Sequence, residues 1–193
     1  MKILEVTFTR EIKAAPAVII WNYWDHEHLY VVHKNYTSAF VLYEDEKIAI
    51  NILTYKLPVF SFLRSNSLNV MVMKDKETIK AYNIGLFSIP ACTTIHVKEI
   101  RADHCVITMT YKFILSGWRK VLTPFLPRLA AKWNKQVWEE DLPLKIRRQK
   151  VMKLGFKDFV GLPEKIEDRF LAGEIPFELP VTRHKQSPVN LPL

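Results

Sequence analysis

Hydrophobic and polar positions alternate from the start of the chain. Leu4, Val6 and Phe8 share one face of an extended segment, and Glu5, Thr7 and Thr9 share the other. Ala14-Ala15-Pro16 then opens a helical stretch through Val18, Ile19, Trp21 and Tyr23, with proline in a first turn where its missing N–H costs nothing. A second short helix is predicted from Asp25 to about Val32. Six further strands follow, over 37–43, 47–55, 68–73, 78–84, 93–100 and 105–113, joined by polar turns such as Glu44-Asp45-Glu46 and Lys74-Asp75-Lys76. The connection from Pro58 to Ser67, apolar at Val59, Phe60, Phe62 and Leu63, reads as a lid over a pocket mouth or as a packed loop. From Thr123-Pro124 to about Lys153 the period becomes helical, with Ala130, Trp133, Val137, Asp141, Leu144, Arg148 and Val151 at steps of three and four. Pro143 inside this stretch predicts a kink or break one turn from the acid.

This order predicts an α+β domain over residues 1–155 in the helix-grip arrangement of START and Bet v1-like proteins: an antiparallel sheet of about seven strands wrapped on a long C-terminal helix. Residues 156–193, with Pro176, Pro180, Pro188 and Pro192, read as an irregular extension that wraps the domain or contacts a partner. A grip fold places its cavity between sheet and helix, which makes Leu53, Val70, Ile95, Met109, Tyr111 and Trp133 the candidate lining. Their apolar, aromatic and thioether character implies a hydrophobic small molecule or lipid, with few polar groups to orient it.

Composition sharpens this picture. A hydrophobic content of 49% in 193 residues supports a sizeable core. No apolar run approaches the roughly 20 residues of a membrane-spanning helix. Cys92 and Cys105 fall on successive strands, facing Phe113 and Ile100, with an offset that puts them about 26 Å apart at 3.3 Å per residue, too far for a disulfide. Free thiols suit a cytoplasmic location. The net charge of +8 gathers at Lys145, Arg147, Arg148, Lys150, Lys153 and Lys157, read as a solvated helix end or as a dock for an acidic electron-transfer protein or anionic lipid. No basic motif with interleaved aromatics suggests nucleic acid.

The chemistry concentrates in Asp25, His28 and His33, which lie within nine residues, and in Glu139-Glu140-Asp141, which interrupts the apolar stripe of the last helix. Two imidazoles and a carboxylate make a facial triad that leaves positions on a metal open for dioxygen and substrate. Residues 28 and 33 stand about 140° apart on an ideal helix, so the helix must end between them if both rings are to reach one ion. Position 141 continues the stripe from Val137, which favours Asp141 over Glu140 as the third ligand. Iron, zinc and a metal-free polar cluster all remain compatible with these donors. His26 and His96 are expected to face outward, and His104 and His184 carry no assignment.

The spacing Asp-x2-His-x4-His followed by HKNYTSA, with VWEEDLPL more than a hundred residues later, resembles the catalytic domain of Rieske-type ring-hydroxylating oxygenases over roughly residues 1–155. The resemblance implies Fe(II) held by His28, His33 and Asp141 (or its neighbour Glu140), with Asp25 as the acid that relays electrons to the iron. It implies a mononuclear non-haem iron oxygenase acting on a hydrophobic substrate. The chain departs from the family in one respect: Cys92 and Cys105 do not form the Cys/His pattern of a Rieske cluster, so either a separate protein supplies electrons or the site is retained on a protein that no longer oxidises anything. The rival expectation is a START-like lipid or hydrophobic-ligand binding protein without catalysis, and a third is a non-catalytic subunit.

Overall fold

A computed structural model of the chain describes residues 1–26, 28–56 and 64–153. Seven strands form one antiparallel sheet: β1 (Lys2–Ile12), β2 (Tyr36–Glu44), β3 (Ile48–Lys56), β4 (Arg64–Asp75), β5 (Thr78–Ile84), β6 (Pro90–Arg101) and β7 (His104–Leu115). Their spatial order is β1-β7-β6-β5-β4-β3-β2. β2 to β7 run as a meander and β1 pairs with β7, so β1 and β2, successive in sequence, lie at opposite edges. The chain crosses between those edges through helices α1 (Pro16–Trp24) and α2 (His28–Val32). Helix α3 (Leu126–Lys153) returns against α1 and β1. This is the α+β helix-grip architecture that the alternation and the late helical period predict.

The pleat sorts the side chains. Ile12, Ala49, Met71, Ile79, Ala81, Ile95, Val97, Cys105 and Ile107 point to one face, where Ile19 and Ile20 of α1 and Trp138 and Leu142 of α3 cover them. Burial of this kind stabilises by about 25 cal/mol per Å² of apolar surface removed from water. Of the expected lining, Leu53 and Ile95 are buried on this inner face, and Met109 and Tyr111 follow Ile107 along it at every second position. Val70 does not. β4 buries Ser67, Asn69 and Met71, and Val70 pairs on the opposite face with Ile50 and exposed Tyr82. In β4 the more apolar face, Leu68, Val70 and Val72, is the outer one, and the buried face carries Ser67 and Asn69, so a reading that assigns the apolar face to the interior picks the wrong side.

Three further expectations change. α3 runs unbroken through Pro143, which is exposed, so the proline does not end the helix. A register shift between Glu99 and Arg101 pairs Cys105 with Glu99 and Cys92 with Lys112, one residue from the expected partners, and both thiols are free. Lys145 and Arg148 do not belong to a solvated helix end, for both are buried. Residues 58–63 of the expected lid, the extension 156–193, Lys157 and His184 lie outside the described residues, and 64–67 are the first residues of β4.

Candidate metal centre

Two helix ends and one helix face build the site. α1 stops at Trp24 with Asp25 as its C-cap, and α2 begins at His28 and ends at Val32, so His33 leaves the helical path just where the angular argument requires. His28 and His33 thereby turn toward one another, with ring centroids 5.5 Å apart. α3 presents Asp141 to both, its Oδ1 lying 3.3 Å from His28 Nε2 and 3.1 Å from His33 Nε2. All three side chains are buried, and the three donor atoms lie within 4.8 Å of one another.

The other ring nitrogens are already committed. His28 Nδ1 contacts the backbone carbonyl of Asp25, and His33 Nδ1 lies 2.9 Å from Glu140 Oε2. A ring that donates from Nδ1 to an acceptor presents a bare lone pair at Nε2, the form a metal takes. Gln136 Nε2 in turn donates to Glu140 Oε1 at 3.0 Å, and Asn35 Nδ2 to Gln136 Oε1 at 2.8 Å, which fixes the acid behind His33. Asp141 Oδ2 accepts from Asn22 Nδ2 and from Lys145 Nζ, each at 3.1 Å. Lys145 is fully buried between the rings of Tyr23 and Trp138, 4.5 and 4.7 Å from their centroids.

What remains is a set of unsatisfied atoms: His28 Nε2, His33 Nε2 and Asp141 Oδ1 are buried without a hydrogen-bond partner among the described residues. Buried polar atoms left without partners are costly, and here three of them face one point. Two ligands at about 2.1 Å from one ion and at right angles stand about 3 Å apart, which matches both histidine-to-carboxylate distances. The donor set therefore fits a mononuclear metal bound on one face.

Charge follows the same geometry. Burial alone would raise the pKa of Asp141, but polar contact with His28 and His33 and the charge of Lys145 outweigh it and hold the carboxyl ionised, well below its usual range. Burial works against charge on His33, yet Asp141 and then Glu140 hold its pKa above the ordinary value. In Lys145 burial prevails over Asp141 and lowers the pKa.

Asp25 sits beside this centre with its carboxylate turned to Arg148, 3.9 Å from His28 Nδ1. Its backbone carbonyl, not its carboxylate, meets the ring. Arg148 also donates from NH1 to Asn22 Oδ1 at 2.9 Å, so a continuous polar path links Asp25, Arg148, Asn22 and Asp141. His26, expected outside, is buried against Trp24, and burial lowers its pKa to about 4, which keeps it neutral. His96 alternates with buried Ile95 and Val97 and bonds Thr78 instead.

A small crevice beside α3 is lined by Phe8, Arg10, Ile107, Met109, Asn134 and Trp138. Trp133 lies apart from it, packed edge-on against Tyr36 and Tyr55. Polar residues are more numerous on the inner face than the sequence reading expects: Asn51, Asn69, Ser67 and Thr93 are buried there, and Asn51 Nδ2 has no partner among the described residues. Asn22, Asn134, Lys145 and Gln149 were likewise missed, because an apolar stripe cannot reveal a buried polar position. The available signal was spacing, since 134, 141, 145 and 148 recur at helical steps with Asp141.

No family model matches the chain, and no curated protein matches its sequence. Solved structures do match its shape. The Zhui aromatase/cyclase of a Streptomyces strain aligns with a TM-score of 0.66 at 10% identity, covering 76% of this chain and 96% of that one. Human STARD10 aligns with a TM-score of 0.54 at 16% identity over 77% of this chain and 67% of its own. Dicamba monooxygenase bound to 3,6-dichlorosalicylic acid aligns with a TM-score of 0.59 at 12% identity over 79% of this chain and 52% of its own. Together with a START superfamily protein from Mycobacterium smegmatis at a TM-score of 0.57, these likenesses show that the chain has the START/Bet v1-like helix-grip fold.

Proposed function

We propose that the chain is a mononuclear non-haem iron oxygenase module that oxidises a hydrophobic substrate with electrons from a separate protein. The observation that carries this reading is the convergence of three orphaned, buried donors, His28 Nε2, His33 Nε2 and Asp141 Oδ1, behind rings whose other nitrogens are engaged. Bound there, Fe(II) would supply dioxygen activation. The chain's own residues do the rest. Glu140 and the Asp25 carbonyl orient the imidazoles, while Asn22 and Lys145 occupy Asp141 Oδ2 and leave only Oδ1 for a metal. Phe8, Ile107 and Met109 give the crevice beside α3 the apolar walls a hydrophobic substrate would meet. Asp25, its side chain 25% exposed and joined to Asn22 through Arg148, is the residue through which an acidic electron-transfer partner would couple to the site.

A second reading has its own support: Lys145 already neutralises Asp141, so the cluster could persist metal-free and orient a lipid or other hydrophobic ligand in a binding protein without catalysis. Metal analysis of the full chain purified without added metal separates the two. The oxygenase reading expects one iron per chain, lost in both His28→Ala and His33→Ala. Metal-free protein that refuses Fe(II) under anaerobic conditions would overturn it and leave the binding protein.

A further inference from the structure

Away from the metal centre, the end of the sheet where β5 turns into β6 and β7 leads into α3 exposes large apolar side chains. Phe87 is 50% exposed, Trp118 59%, Val121 66% and Phe125 61%. Trp118 and Val121 stand three apart in the 3₁₀ segment Gly117–Leu122, a spacing that eclipses them on one edge. Phe87 meets Trp118 edge to face at 6.1 Å. Beneath them Ile89, Leu115 and Leu126, with Leu122 and Leu129, form a separate small core, so the exposed rings stand on a packed base.

The backbone is held out of its preferred region to present this edge. Phe87 has φ 55° and Ser88 φ 52°, left-handed values that cost a non-glycine residue of order 1–3 kcal/mol. Arg119 fixes the turn by donating Nε–H to the Phe87 carbonyl at 2.8 Å, with its guanidinium 5.6 Å from the centre of the Trp118 ring.

The segment that carries Trp118, Val121 and Phe125 has charge of one sign. Between Ser116 and Trp138 the chain carries Arg119, Lys120, Arg128, Lys132 and Lys135 and no acidic residue. Lys120 and Arg128 are exposed, and neither has an acidic partner among the described residues. Exposed tryptophan and phenylalanine rimmed by lysine and arginine is the composition of a surface that rests in the headgroup layer of an anionic bilayer. A protein interface is less suited, since its buried patches are depleted in lysine.

We propose that Phe87, Trp118, Val121 and Phe125, rimmed by Arg119, Lys120 and Arg128, dock the protein on the surface of anionic lipid bilayers. The inference is independent of any metal. Vesicle flotation with phosphatidylcholine alone and with 30% phosphatidylserine tests it on the full chain. Wild-type protein should float with the anionic vesicles and release as salt is raised. Trp118→Ala/Phe125→Ala should weaken flotation at least ten-fold. Lys120→Glu/Arg128→Glu should weaken it more than about twenty-fold, since each basic group near such a surface contributes about five-fold. Lipids brominated in the acyl chain should quench tryptophan fluorescence in the wild type and less in Trp118→Phe. Unchanged melting temperatures confirm that the variants fold. Absence of wild-type flotation, or flotation indifferent to both double variants, overturns the proposal. So does self-association abolished by Trp118→Ala/Phe125→Ala without vesicle binding, which would make a second copy the occupant.

Discussion

Two buried regions lie side by side under the helices and are built on opposite principles. Beneath α1 the sheet contributes Ala49, Ile79, Val97 and Ile107, side chains whose attraction is non-directional and tolerates small shifts. In the seam between α1, α2 and α3, Asn22, His28, His33, Asp141, Lys145, Arg148 and Gln149 are buried in a directional network. Replacing such a network by packed hydrophobes is often neutral or stabilising, so stability alone does not account for the seam. The apolar region holds the fold, and the polar one holds an arrangement of donor atoms.

Mutation can break this division, and the largest effect should come at the shared carboxylate. Asp141→Asn should abolish stoichiometric metal binding, whereas Glu140→Gln, acting through His33, should weaken affinity about 10- to 100-fold. Titration with Fe(II) or Co(II) checks the order, and its reversal would make Glu140 the ligand. Lys145→Met should destabilise the metal-free protein by about 3–5 kcal/mol, because it strands a buried carboxylate. Bound metal should restore most of that loss, since the ion replaces the missing positive charge. Denaturant unfolding with and without metal reads the difference, and an equal loss in both states would deny the coupling.

Ile79→Ala tests the other region. It should cost about 2–5 kcal/mol in unfolding free energy and leave metal stoichiometry unchanged. A change in metal content would show that the two regions are not separable. Acidity should act on the seam alone: with the His33 pKa held above its ordinary value, protons compete for Nε2 at and above pH 6.5. Apparent metal affinity should therefore rise with pH through neutrality and fall by up to about ten-fold per unit below it, as isothermal titration at several pH values would record. Within the seam, the smallest effect on metal is expected from Asp25→Asn, which leaves the His28 contact to the backbone carbonyl intact. Iron content should stay nearly full while reductase-driven turnover slows more than turnover with peroxide. Loss of iron as complete as in His28→Ala would end the relay assignment.

The apolar region was legible in the sequence and much of the polar one was not, for a physical reason. Alternation of Ile95 and Val97, or Leu4, Val6 and Phe8, states which face is buried, because one face is polar and the other is not. At Val70 the pattern carries the wrong sign, because the polar Ser67 and Asn69 are the buried side of β4 and the apolar Leu68, Val70 and Val72 the outer one. Asp141, His28 and His33 were legible through spacing and residue type. Lys145 and Arg148 were not, because a cation near a helix end is ordinarily solvated: the i,i+4 spacing to Asp141 is visible, but the burial of Lys145 against Tyr23 and of Arg148 against Asp25 and Asn22 is tertiary.

The placement of β1 and β2 at opposite edges of the sheet has a consequence for how the protein assembles. His33 and Glu140 are 107 positions apart, and Asn22 and Asp141 are 119 apart. Contacts of such long range form late, after the loop-closure entropy of the intervening chain has been met. The donor cluster is therefore expected to be among the last features to form and the first to open. An ion gripped there ties the crossover to the final helix and acts as a clasp on the native state. At a hundred times its dissociation constant it would add about 2.7 kcal/mol against unfolding, a contribution that rises and falls with metal supply.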